Sequence, residues 1–225
     1  KAYGSIGHLP NSRLGNCDHS VNQVMERILT VKARDKYDLI IVQEKLDGSN
    51  VAVAKIGGKL VPLGRSGYPA ISSNYLQHIY FHNWVMLNSE KFWNILEEGE
   101  WISGEWLAQA HGTKYNLCQE WPPFSPFDLF RNKQRILHEE LNSLIKIACL
   151  TPPHTLSVGP PVSVEEALKL HEITKWPGED IEGIVYRVER KGKVDFLAKY
   201  VRNDKVDGKY LESVSGNDPI WNWRP

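Results

Sequence analysis

Residues 39–44 (LIIVQE) are a short apolar run, the pattern of a buried strand. Asp47-Gly48 predicts a tight turn into a second run, VAVAKI at 51–56, and Gly57-Gly58 a further turn into KLVPLG. Read as a meander, these runs leave Lys45 where a strand meets a turn. Between residues 72 and 87, Leu76, Ile79, Val85 and Met86 recur near helical spacing, with Ser72 or Ser73 as the N-cap. WISGEWL at 101–107 alternates like a strand, and PFDLF at 126–130 reads as another. Residues 133–148 and 163–172 read as helices, the second opened by Ser163 with Glu166 three residues on, a capping box. GIVYRV at 183–188 and VDFLAKYV at 194–201 are strands, and residues 1–20 are irregular and rich in Gly, Asn and Ser. Short strands interspersed with helices, without regular alternation, predict an α+β fold with antiparallel sheets.

Composition narrows the class. The 225 residues are expected to form a single domain, 1–225. With 41% hydrophobic and 24% charged residues the chain is ordinary for a globular protein, not disordered or coiled-coil. A mean hydropathy of −0.40 and the lack of a long apolar run exclude a spanning helix, and no signal-like start is present, so a cytoplasmic location is expected. The 27 Lys and Arg balance 27 Asp and Glu, which excludes a globally basic nucleic-acid binder but not a local patch. One asymmetry stands out. Residues 187–209 hold eight bases and four acids, read either as a solvated hairpin face or as a surface for a phosphate-rich partner. Cys17, Cys118 and Cys149, odd in number and widely spaced, read as reduced thiols. The eight tryptophans are either core or platforms for a planar ligand.

Lys45, at the end of an apolar strand, has the clearest chemistry. Poor solvation disfavours the ammonium and draws its pKa down from ~10.4. A neutral amine attacks carbonyl or phosphoryl centres. The duller reading is a lysine that extends to water from an ordinary hairpin. His78 and His82 stand four apart on the expected helix, a spacing that can bind a metal, although no H-E-x-x-H accompanies them. His8 and His19 could contact phosphate, and His111 could lie near a nucleotide. Neither a P-loop nor a G-x-S-x-G elbow is present.

Scanned as a set, six short strings fall in a telling order. They are Lys45-Leu46-Asp47-Gly48, Arg65-Ser66-Gly67, Gly104-Glu105-Trp106, Phe127-Asp128, Glu182-Gly183-Ile184-Val185-Tyr186-Arg187 and Ala198-Lys199-Tyr200-Val201-Arg202. Together they resemble the collinear motifs of the lysine-dependent nucleotidyltransferases, over a core of about 39–202. The longer strings SIGHLPNSRLG, IVQEKLDGSNVAVA and GEWLAQAHGTKY are similar to those of ATP-dependent RNA ligases.

The resemblance implies a nucleotidyltransferase (ATP-grasp-like ligase catalytic) fold of antiparallel sheets flanked by helices, with no OB-fold, since some 23 residues follow Arg202. It implies that Lys45 attacks the ATP α-phosphorus, with Asp47 and Gly48 setting the turn that aims it. Lys199 would neutralise the α-phosphate, and Glu182 would hold Mg²⁺ or Mn²⁺. Arg65 would contact sugar or an incoming 5′-phosphate, Glu105 a ribose hydroxyl, and Phe127 would stack on adenine; Glu44 is grouped with these nucleotide-binding residues. The substrates implied are ATP and RNA bearing 5′-phosphate and 3′-OH ends. One departure concerns the last motif, which in many family members has a second lysine where this chain has Arg202 three residues on. The alternatives are a DNA ligase module, a GTP-dependent capping-type transferase, or a protein that grips nucleotide or RNA ends without chemistry.

Overall fold

The computed structural model describes residues 3–117, 121–174 and 178–225, so Cys118 lies outside the described residues. The chain divides into two compact units, each built on a five-stranded sheet. Elements are numbered along the chain.

The first unit comprises Ser5–Leu46 and Pro153–Asp207. Its strands are β1 (Gly7–His8), β2 (Asp38–Lys45), β8 (Thr155–Gly159), β9 (Gly183–Arg190) and β10 (Lys193–Val201), in the order β1-β10-β9-β2-β8. All pairings are antiparallel except β1 with β10. β2 lies between β9 and β8, which explains its continuous apolar run: Ile40, Ile41 and Val42 are fully buried. Helices α1 (Gln23–Thr30) and α5 (Val164–Thr174) belong to this unit. Asn22 caps α1 by accepting from the Met25 N–H. The expected capping box opens α5: Ser163 Oγ accepts from the Glu166 N–H, and Glu166 Oε2 accepts from the Ser163 N–H at 3.1 Å. Ile28, Leu29, Ile40, Val42, Tyr186 and Val188 are among the core residues.

The second unit comprises Lys1–Gly4, Asp47–Pro152 and Gly208–Pro225. Strands β3 (Ser49–Ile56), β4 (Lys59–Gly64), β5 (Trp101–Trp106), β6 (Phe124–Arg131) and β7 (Gln134–Arg135) run in the order β4-β3-β5-β6-β7. Helices α2 (Leu76–Leu87), α3 (Ser89–Trp93), α4 (His138–Ile147) and α6 (Glu212–Ser215) complete it. Its core is aromatic. Phe81, Trp106 and Phe124 are fully buried, and Trp84 and Phe92 join them with ring centroids 5.3–6.1 Å apart. These tryptophans are core, and Trp223, partly buried, packs against the same cluster.

Three expectations change. β2 and β3 are not neighbours in a meander: they lie in different sheets, because β9 and β8 take both edges of β2 while β4 and β5 take those of β3. Of the two expected turns, Asp47-Gly48 and Gly57-Gly58, only the second makes a hairpin, with both glycines at positive φ. The helix expected from residue 72 begins at Leu76, after a 3-10 turn at Ala70–Ser72; Ser73 accepts from the Tyr75 N–H, closing a local turn instead of capping the helix. The helix expected from residue 133 begins at His138, because Asn132 and Lys133 both adopt positive φ and turn the chain from β6 into β7. Among the described residues no helix is long and apolar enough to cross a membrane.

Gly183 shows how tightly the first sheet is built. It pairs with Lys45 on one side and Val201 on the other. A Cβ there would sit 1.9 Å from the Tyr200 carbonyl oxygen, a backbone atom that cannot swing aside. Gly183→Ala is expected to destabilise the protein by about 3 kcal/mol in urea unfolding. Gly64→Ala, where a Cβ meets nothing within 4 Å, is expected to stay within about 0.5 kcal/mol of the parent.

Candidate active site

β2 delivers Lys45 to its C-terminal end, opposite Gly183. The residue before that glycine, Glu182, is buried, and its Oε2 accepts from Lys45 Nζ. Lys199 comes from β10, where it pairs with Val185. Its ammonium is pushed below the ordinary lysine value, first by burial and then by the charge of Lys45, while Asp18 and Glu182 oppose the shift. Three of the expected residues, Lys45, Glu182 and Lys199, thus form one electrostatic cluster within one compact unit.

The irregular opening supplies the rest of that cluster. Gly7 and His8 add a short parallel strand to β10, with His8 in register with Lys199. His8 is 1% exposed. Its Nδ1 lies 2.6 Å from Ser12 Oγ and its Nε2 3.1 Å from Asp18 Oδ2. Asp18 Oδ1 lies 3.5 Å from Lys199 Nζ. Burial lowers the His8 pKa, Lys199 and Lys45 lower it further, and Asp18 works against them. Burial opposes ionisation of Asp18, yet the Gly15 N–H, Lys199 and His8 together hold its carboxyl below the usual range. His8 was legible as a phosphate-contact candidate; Asp18 carried no motif, and only the fold brings it to Lys199. His19, the other candidate, contacts Ser5 Oγ through Nδ1 at 3.3 Å.

In the second unit, the Asp47-Gly48 turn is held by hydrogen bonds. The Asp47 N–H donates to Tyr115 Oη, and Asp47 Oδ2 accepts from the Gly112 N–H, both at 2.9 Å. The Gly48 N–H donates to Glu105 Oε1 at 3.0 Å. A Cβ on Gly48 would lie 2.4 Å from the Trp106 carbonyl oxygen, so the close backbone approach requires glycine at this position. The HGTKY string (111–115) is therefore the partner of the turn, and His111 Nε2 lies 3.3 Å from Gln77 Oε1.

Arg65 is exposed in the turn after β4. Phe127 is the extra residue of a bulge: Pro126 pairs with Gly104 and Asp128 with Ser103, leaving Phe127 unpaired between them. Its ring meets Tyr3 edge-on at 5.1 Å. Asp128 is fully buried, accepting from Tyr3 Oη at 2.6 Å and Arg135 Nε at 2.8 Å.

Glu44 is not brought into the Lys45 cluster. Strand alternation turns it to the opposite face of β2, where Oε1 lies 3.5 Å from His171 Nε2 and Oε2 3.7 Å from His154 Nδ1. Arg202, the residue standing for a second lysine, makes a two-pronged contact with Asp204 and lies 3.9 Å from Asp180. Other bases of 187–209 are also paired: Arg187 with Glu189, and Arg190 with Asp35 and Asp38. Arg187–Glu189 and Arg202–Asp204 pair within the region, whereas Asp35 and Asp38 bring acids to Arg190, and Asp18 one to Lys199, from outside it. No group of three or more His, Cys, Asp or Glu among the described residues is arranged to hold a metal ion, and His78 instead lies 2.7 Å from Ser73 Oγ. Cys17 and Cys149 are free and exposed.

The family model described as RNA ligase matches residues 38–201. No curated protein matches the chain. Among solved structures, an archaeal ATP-dependent RNA ligase is similar with a TM-score of 0.50 and 20% identity, over 73% of this chain and 43% of that one. A putative ATP-dependent DNA ligase from Aquifex aeolicus gives 0.53 and 18%, over 89% and 50%. A mutant Naegleria gruberi RNA ligase with ATP and Mn gives 0.51 and 19%, over 75% and 51%. At these identities the likeness is one of fold, and this chain spans about half the length of those proteins or less.

Three histidines give the fold a pH signature. His8, His78 and His154 are all held below the ordinary histidine pKa, with burial the largest cause in each. The unfolded chain therefore binds more protons than the native one between those depressed values and ~6.5. Stability is present in full above ~6.5 and is lost as pH falls through the depressed values. The urea midpoint is expected to be lower at pH 5.5 than at pH 7.5, and His8→Gln to narrow the difference; equal midpoints would contradict this.

Proposed function

The chain belongs to the RNA ligase family, and on that premise we propose that it joins RNA ends at the expense of ATP through a covalent lysyl-AMP intermediate. The observation that carries this reading is the Lys45–Glu182–Lys199 cluster, a lysine at a buried strand end beside a carboxylate and a second lysine of lowered pKa.

Lys45 Nζ, once it has given up its ammonium proton, attacks the α-phosphorus of ATP. The N–P bond forms as the bond to the bridging oxygen breaks; pyrophosphate leaves with that electron pair, and the amine's proton passes to solvent. Lys199 places positive charge where the α-phosphate gains negative charge in the transition state. The AMP then passes to an RNA 5′-phosphate, giving A(5′)pp(5′)RNA, and a 3′-OH attacks that end to seal the strand and release AMP. Phe127 stacks on adenine, Glu105 accepts from a ribose hydroxyl, and Arg65, exposed and fork-shaped, meets sugar or the incoming 5′-phosphate. The Asp47-Gly48 turn fixes the backbone that follows the nucleophile.

The donor set suits a hard divalent cation. Glu182 offers a carboxylate that is 8% exposed, and Mg²⁺ or Mn²⁺ would be held there together with water and phosphate oxygens, since no closed protein cage is present among the described residues. Such an ion supplies charge neutralisation of the triphosphate. Glu44 keeps a place in this proposal only as the residue that anchors the end of β2 from its opposite face.

The test is intact mass after incubation with ATP and Mg²⁺. The expected result is a gain of one AMP, reversed by pyrophosphate and absent in Lys45→Ala. No gain with ATP would overturn the reading, and a guanylate adduct from GTP would instead assign a capping-type transferase. Sealing of 5′-phosphorylated RNA but not DNA strands separates RNA ligation from the DNA-joining alternative. Lys199→Ala is expected to slow adduct formation by about 10²–10³-fold, the scale of losing one group aimed at developing charge.

A further inference from the structure

The segment 107–115 carries the Gly112 and Tyr115 groups that hold the Asp47-Gly48 turn, yet it forms no strand. Leu107, Ala108 and Ala110 are fully buried, so their backbone polar groups need partners. Much of that need is met by residues 210–223 of the same compact unit. Ala110 N–H donates to the Ile220 carbonyl at 2.9 Å, and the Ala108 carbonyl accepts from the N–H groups of Asn222 at 2.8 Å and Trp223 at 3.1 Å. The His111 carbonyl accepts from the Tyr210 N–H at 2.8 Å.

Asn222 does more than share a backbone. Its Nδ2 donates to the Leu107 carbonyl at 2.8 Å, and its Oδ1 accepts from the Tyr115 N–H at 3.1 Å. One amide thus closes both ends of the loop. The flanking tryptophans seat it: Trp223 meets Trp106 at 5.6 Å, and Trp221 meets Tyr80 at 5.0 Å. From there the connection is continuous, from Asn222 to the Tyr115 backbone, and from the Tyr115 hydroxyl to the Asp47 N–H.

We infer that Asn222 is a positioning residue: it clamps the 107–115 loop and through it sets the Asp47-Gly48 turn that follows Leu46. Both halves of the amide are used, so no apolar residue of similar size replaces it, and Asp keeps only the acceptor. The kinetic part rests on the ligase reading above; the structural part does not.

The test compares the parent with Asn222→Ala and Asn222→Asp in the full chain. Amide hydrogen exchange at Asp47, Gly112 and Tyr115 is expected to quicken by about 10-fold in Asn222→Ala, with amides of β5 unchanged as the control for folding. The rate of AMP adduct formation at saturating ATP is expected to fall by about 10-fold, with the half-saturating ATP concentration within about twofold of the parent, because the turn is displaced while the nucleotide contacts remain. Asn222→Asp is expected to fall between, as its Oδ1 still meets the Tyr115 N–H. Parent-like exchange at Asp47 and Gly112 overturns the clamp. Faster exchange with an unchanged adduct rate overturns the positioning role. A parent protein that forms no adduct defeats the ligase reading alone, and the exchange rates then decide the clamp by themselves.

Discussion

Two ammonium groups share one poorly solvated cluster, and the surrounding structure is arranged to make that tolerable. Lys45 and Lys199 repel each other and lose hydration together, which is unfavourable unless acids stand close by. The fold supplies one to each: Glu182 to Lys45 and Asp18 to Lys199. Each acid depends on a backbone feature. Glu182 reaches Lys45 because Gly183, lacking a Cβ, lets β9 press between β2 and β10. Asp18 reaches Lys199 because the irregular opening is pinned by β1 and by the His8 imidazole. In the proposed reaction a triphosphate would meet cations that are already positioned, so little reorganisation would be needed.

Much of this was legible in the sequence, and the pattern of what was not is physical. The strands announced themselves because β2, β3, β5, β6, β9 and β10 carry runs of apolar or alternating residues. Ser163 and Glu166 announced α5 because a capping box is local chemistry. Helix α1 was not legible because QVMERILT makes barely two turns, too short for its periodicity to stand out beside the irregular opening. Its cap, Asn22, is read only once the helix is known. Sheet membership was illegible for a different reason. Asp47-Gly48 has the composition of a hairpin turn, but the partners of β2 are β8 and β9, which arrive more than a hundred residues later.

The site divides along the same line. Lys45, Glu182 and Lys199 stand in ordered motifs and meet in space. Glu44, adjacent to Lys45 in sequence, faces away from it, since neighbours on a strand point to opposite sides. Asp18 and Asn222 show the converse. Neither belongs to a recognisable string, and each matters through a distant partner: a lysine 181 residues away for Asp18 and a backbone amide 107 residues away for Asn222. Such residues are found only by asking where buried polar groups obtain their hydrogen bonds.

The interleaving of the two units bears on how the chain matures. Lys45 and its partner Glu182 are separated by 137 residues, so β2 emerges from the ribosome long before the strand that covers one of its edges. Until then its buried-type sequence, LIIV, presents unpaired amides and apolar side chains to the cell. The stretch between them, most of the second unit, can collapse around its aromatic cluster first. The lysine cluster therefore cannot form before β9 and β10 have been synthesised.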